Sequence, residues 1–207
     1  AQQSQIYDIN DQLWKKNVVQ ISGGKTSDEN FEFRSYMNGY ASILSDTMMG
    51  SNVELFTKTS NVAVQNLSSK RIEELFEQGI GILAYFGHSS ANTLEYNLDD
   101  PSSYNNAGKY PMFIVSGCTA GNTFVFDSTR FISGSKTISE NFVLSPERGS
   151  ISFMASTHYG IGPYLNEYNK MFYKLLSTTH YGGAVGDIMK QTIKNLRGDD
   201  PGLGFFS

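Results

Sequence analysis

Short runs of β-branched and aliphatic residues alternate along this chain with longer stretches that carry apolar residues at helical spacing. No other feature constrains the fold as tightly, because that alternation is the pattern of a parallel sheet covered by helices. Strands are predicted at residues 17–22 (NVVQIS), 52–56, 81–86 (GILAYF), 112–116 (MFIVS) and 150–155 (SISFMA). Their unbroken apolar character fits strands buried on both faces. A helix is predicted over about 31–48, with Phe33, Met37, Tyr40, Ala41 and Leu44 in spaced positions and Asp28 or Asn30 as its cap. A second spans 67–78, with Ile72, Leu75 and Phe76 on one face and Gly79 as its stop. Further helices are predicted at 138–144, about 163–176 and about 184–196. Residues 87–111 and about 117–135 are polar and glycine-containing, and they are too long for plain connections, so they are read as functional loops.

Charge and composition remove several classes of function. The chain has 20 acidic and 16 basic residues, a net charge of -4, and no basic run longer than a pair such as Lys15-Lys16. Nucleic acid is therefore not an expected partner. No apolar run approaches the roughly 18 residues of a membrane span, so none is expected. A single cysteine, Cys118, excludes an internal disulfide and any multi-cysteine zinc site. His158 and His180 share no ligand spacing with His88, and there is no H-E-x-x-H, so no metal ligands are assigned. Gly87-His88-Ser89-Ser90-Ala91 fails the G-x-S-x-G elbow at its last position, and Gly160-Ile161-Gly162-Pro163 lacks the third glycine of a dinucleotide loop. No cofactor is called for; whether a structural calcium ion braces the polar loops stays open at this level.

Two predicted strands end in reactive groups. One runs into Gly87-His88-Ser89-Ser90 and the next into Gly117-Cys118-Thr119-Ala120-Gly121. Function in an open parallel sheet gathers outside the carboxyl ends of the strands. Consecutive strands are usually neighbours, and neighbours lie about 4.8 Å apart, so imidazole and thiol are expected within reach of each other. A free thiol is only slightly ionised near neutral pH, and a nearby imidazole that takes its proton makes it a useful nucleophile. The plainer alternative is a buried structural cysteine beside a solvated histidine.

In their order, these motifs resemble the gingipain-like cysteine peptidases of the caspase-like clan. The similar features are the Gly23-Gly24 turn after the first strand, the strand ending Tyr85-Phe86-Gly87-His88, and the Pro111-led strand that runs to Cys118 and Gly121. A short helix with Glu140 follows, then Gly149 with a strand ending Ala155-Ser156-Thr157, and finally Gly182-Gly183 before a helix. The resemblance implies a caspase-like three-layer α/β sandwich with a mainly parallel sheet. It also implies a cysteine endopeptidase with Cys118 as nucleophile and His88 as general base, and with the backbone N–H groups of Ser89 and Cys118 as oxyanion hole. Ser156, Thr157, His158 and Tyr159 would wall the substrate pocket. Residues 1–207 would be the catalytic subdomain of a larger peptidase, preceded by another subdomain of the same chain and acting on polypeptides. Such proteins are secreted or held at the surface of Gram-negative bacteria, and they include the sortase-like signal peptidase of type IX secretion.

Two positions depart from the family pattern. Ser89 follows the histidine where glycine is common, and Ser22 precedes the Gly-Gly turn where an acidic residue is often found. Asp28 and Glu29 on the following loop are then the candidates to orient the imidazole. The departures keep two alternatives open: a catalytically degenerate domain that binds a partner or serves secretion, and a sortase-like transpeptidase in which an amine replaces water.

Overall fold

The computed structural model describes residues 13–46, 48–60, 65–66, 69–98, 100–124 and 128–197. After a turn of 3-10 helix at Leu13–Lys16 come β1 (Asn17–Ser22), α1 (Ser27–Ser45), β2 (Asn52–Thr57), the two-residue β3 (Gln65–Asn66), α2 (Ser69–Gln78) and β4 (Ile82–Phe86). Next are β5 (Tyr96–Asn97), a second 3-10 turn at Pro101–Ser103, β6 (Met112–Ser116), α3 (Ser128–Ser133), α4 (Ile138–Leu144), β7 (Ser152–Ala155), α5 (Gly162–Ser177) and α6 (Val185–Arg197).

Five strands form one sheet in the order β2-β1-β4-β6-β7, and every pairing in it is parallel. Alternation along the strands divides the core into two layers. Val19, Ile21, Leu83, Tyr85, Phe113 and Val115 face α2 and α4, where Phe76 and Phe142 meet them. Val18, Ile82, Ala84, Phe86, Met112 and Ile114 face α1 and α5, against Met37, Tyr40, Leu44 and Phe172. The result is the expected three-layer α/β sandwich. Phe113 shows how tightly it is filled: it is 0% exposed and its ring lies 4.7 Å from that of Phe142 and 5.4 Å from that of Phe153.

Several boundaries differ from the sequence expectations. Helix α1 begins earlier than predicted because Thr26, and neither Asp28 nor Asn30, is its cap: the Thr26 hydroxyl accepts from Glu29 N–H while the Glu29 carboxylate accepts from the Thr26 N–H. This is a capping box, T-x-x-E. Residues 87–111, expected as loop, contain β5 and the second 3-10 turn, and residues 117–135 contain α3.

The chain leaves β1 for β2 on one side, then returns through α2 to β4 on the other side of β1. That reversal makes a topological switch point at the carboxyl ends of β1 and β4, where the turns that follow the two strands diverge and leave a crevice. Among the described residues, no helix is long and apolar enough to cross a membrane.

Candidate active site

The switch point receives its side chains from three elements. On β4 and β6 the last register pair is Phe86 with Ser116, so His88 and Cys118 each stand two residues beyond paired positions on adjoining strands. Gly87 N–H donates to Ser116 O at 3.1 Å, and the Ser89 hydroxyl donates to Cys118 O at 2.7 Å. The two turns approach so closely at Gly117 that a Cβ there would lie 2.2 Å from Ser89 Oγ and 2.6 Å from Gly87 O. Only glycine fits that backbone contact.

Cys118 is a free, half-buried thiol, and its Sγ donates to Gly160 O at 3.8 Å. The residue after it, Thr119, has φ +54°, a left-handed conformation that costs a β-branched residue about 1–2 kcal/mol. The loop after β7 holds it there: Thr119 N–H donates to His158 O at 2.9 Å and Gly121 N–H to Ser156 O at 3.0 Å.

The third element is the first turn of α1. Glu29 Oε1 lies 3.2 Å from His88 Nε2, with the two side chains about one-third exposed. The other carboxylate oxygen, Oε2, accepts from the N–H groups of Lys25 (2.8 Å) and Thr26 (3.3 Å). One carboxylate thus closes the capping box and faces the imidazole. Burial opposes its ionisation, but the backbone donors and His88 outweigh that, and the carboxyl titrates below its ordinary value. The Phe33 ring meets the His88 ring edge-on at 6.1 Å. Of the two acids considered from the sequence, Glu29 reaches His88, whereas Asp28 points out from the same turn and is exposed.

Ser89 pairs with Leu94 in an isolated antiparallel bridge. The ladder bonds are made on either side of it, by Ser90 N–H to Thr93 O and Glu95 N–H to His88 O. Ser89 is therefore at a non-hydrogen-bonded position, with its own N–H left out of the ladder. Ser156 and Thr157 line a cavity of about 260 Å³ that runs between β7 and helices α5 and α6, past Met154, Leu165 and Tyr168. His158 and Tyr159, expected with them in the pocket, stand outside this cavity, exposed, with their rings edge-on at 4.8 Å. The described residues contain no group of three or more His, Cys, Asp or Glu side chains able to hold a metal ion.

The family description for Peptidase family C25 matches residues 2–202. The chain belongs to that family. The resemblance read from the motifs therefore holds over nearly the whole length. Among solved structures, this C25 chain is similar to the Arg-specific cysteine proteinase gingipain R, at 16% identity and a TM-score of 0.69, over 92% of this chain and 44% of that one. It is similar also to the complex of the pro- and mature domains of RgpB from Porphyromonas gingivalis, at 16% identity and a TM-score of 0.65, over 90% and 44% of the respective chains. At such identity the likeness establishes the fold, and the chain spans less than half the length of either structure. No curated protein matches it.

Sequence reasoning left two contributors to this C25 site unassigned. Thr26 carried a usable signal, since Thr26-x-x-Glu29 ahead of an apolar helix is the capping-box pattern. Tyr85 carried none, because an apolar strand residue gives no sign of where its hydroxyl ends.

Proposed function

We propose that the chain is the catalytic subdomain of a cysteine endopeptidase in which Cys118 is the nucleophile, His88 the general base and Glu29 the residue that orients the imidazole. The β4–β6 register carries this reading, because it pairs Phe86 with Ser116, each two residues before His88 and Cys118. With Nε2–H given to Glu29, Nδ1 is the basic nitrogen left for proton exchange. It takes the thiol proton as Sγ attacks the substrate carbonyl carbon. The oxygen that becomes negative is met by the N–H groups of Ser89 and Cys118. His88 then returns the proton to the departing amine and leaves a thioester on Cys118. In the second half the imidazole takes a proton from water, the hydroxide attacks the thioester, and the carboxylic acid leaves as the thiol is reprotonated.

Ser156 and Thr157 wall the side-chain pocket in this reading, and a further α/β subdomain of the same polypeptide precedes the chain, consistent with its 44% coverage of gingipain R. Secretion or display at the cell surface is part of the same reading. The decisive experiment uses the full-length protein with Cys118→Ala. Hydrolysis of a mixed peptide library and covalent labelling by peptidyl chloromethyl ketones both disappear, while the melting temperature is retained. An unchanged rate in Cys118→Ala ends the proposal; a parent protein that neither cleaves peptide nor takes the label favours a degenerate binding domain, and a parent product joined to an added amine identifies the transpeptidase.

A further inference from the structure

The His88 carbonyl is held from beneath by a buried network that the catalytic reading does not use. Tyr85, 1% exposed in the middle of the sheet, sends its hydroxyl past the end of β4 to donate to His88 O at 2.6 Å. The same oxygen of Tyr85 accepts from Glu95 N–H at 3.1 Å, and Glu95 N–H also reaches His88 O at 3.0 Å. Glu95 is itself fixed, because its carboxylate pairs with Lys58 Nζ at 2.9 Å in an ion pair whose side chains are 0% and 3% exposed. Lys58 N–H in turn donates to Ser22 O at the end of β1. The hydroxyl occupies a space that two glycines leave open: a Cβ at Gly23 would lie 2.8 Å from it and one at Gly87 2.7 Å.

We infer that Tyr85 is a positioning residue for His88, its hydroxyl fixing the His88–Ser89 peptide so that the imidazole and the Ser89 N–H address the same substrate carbonyl. The Gly23-Gly24 turn has a specific task in this arrangement, since Gly23 is the clearance for that hydroxyl. Burial pushes the phenol well above its ordinary pKa, so it remains a donor at any working pH. The inference rests on the Cys118–His88 reading of the site and adds to it a residue with no access to substrate.

Tyr85→Phe in the full-length protein removes the hydroxyl alone. The Glu95 N–H to His88 O bond survives it, so the fold is expected to persist with a melting temperature near that of the parent. A displaced peptide on a reacting group lowers the rate of the chemical step more than binding. The expected result is a kcat about tenfold lower with KM unchanged within about twofold, and a similar fall in the rate at which iodoacetamide alkylates Cys118. Gly23→Ala is expected to be harmful in the parent protein and nearly neutral beside Tyr85→Phe, because the next ring atom, Cζ, lies at an ordinary 3.5 Å. Parental kcat and alkylation rate in Tyr85→Phe overturn the inference, as does a Gly23→Ala effect of equal size in both backgrounds. Should the parent cleave no peptide while Tyr85→Phe still slows alkylation, the peptidase reading falls and the positioning role stands.

Discussion

Glu29 performs two tasks with one carboxylate, and they separate on substitution. Glutamine at the third helical position still serves a capping box, so Glu29→Gln is expected to leave α1 intact while removing the charge beside His88 Nε2. On the proposed reading His88 is the general base, a role worth about 100- to 10,000-fold; losing its charged partner forfeits part of that, and steady-state kcat with a parallel melting curve will measure the fall. The pH dependence follows from the depressed carboxyl. A carboxyl that titrates lower in the folded than in the unfolded chain contributes stability in full above its unfolded value. That contribution is lost as pH falls through the folded value. The stability difference between parent and Glu29→Gln should thus be present near neutral pH, begin to shrink near the ordinary carboxyl value of 4.5, and vanish once the pH is below the depressed folded value; melting temperatures recorded across that range decide it. This residue shows the limit of local reading. Asp28 and Glu29 are chemically alike and adjacent, and only the helical phase set by the Thr26 cap turns one toward His88 and the other to solvent.

Among elements, the segment that returns from His88 through Leu94 to β5 is held to the sheet by the Lys58–Glu95 pair. Both groups are almost wholly shielded from water, so the pair resists disruption differently from a surface salt bridge. Removing one partner leaves the other charge buried without compensation, at a cost of about 3–5 kcal/mol. Lys58→Ala is expected to lose that much in urea unfolding, whereas Lys170→Ala, whose partner Glu167 is exposed like itself, is expected to change stability by less than about 1 kcal/mol. The elements themselves were unevenly legible. β1, β6 and α4 were read to the residue, because short apolar runs leave little choice of boundary. β3, β5 and α3 were missed. A two-residue strand has no period to detect, and it exists only because β3 and β5 lie beside each other.

At the scale of the whole molecule, the layer of β1, β4 and β6 against α2 and α4 supports the site without lining it. Phe113→Ala, at a position in contact with the Phe76, Phe142 and Phe153 rings, is expected to cost about 3–5 kcal/mol, measured as a lower urea midpoint. Its alkylation rate at Cys118 should remain parental at temperatures where the protein is folded, because the side chain points away from the switch point. The amino-acid sequence alone determined the class of fold and set one thiol and one imidazole just past the ends of two predicted strands, since apolar runs and small residues at strand ends are written in local composition. It also narrowed the acid to two adjacent residues. Only the tertiary structure decided which acid faces His88, that the strands bearing His88 and Cys118 pair in register, and that Tyr85 and Glu95 lie beneath the histidine turn. The first two join positions far apart along the chain and are set by helix phase and sheet order; the last spans ten residues or fewer but depends on where a buried side chain ends, which no local pattern encodes.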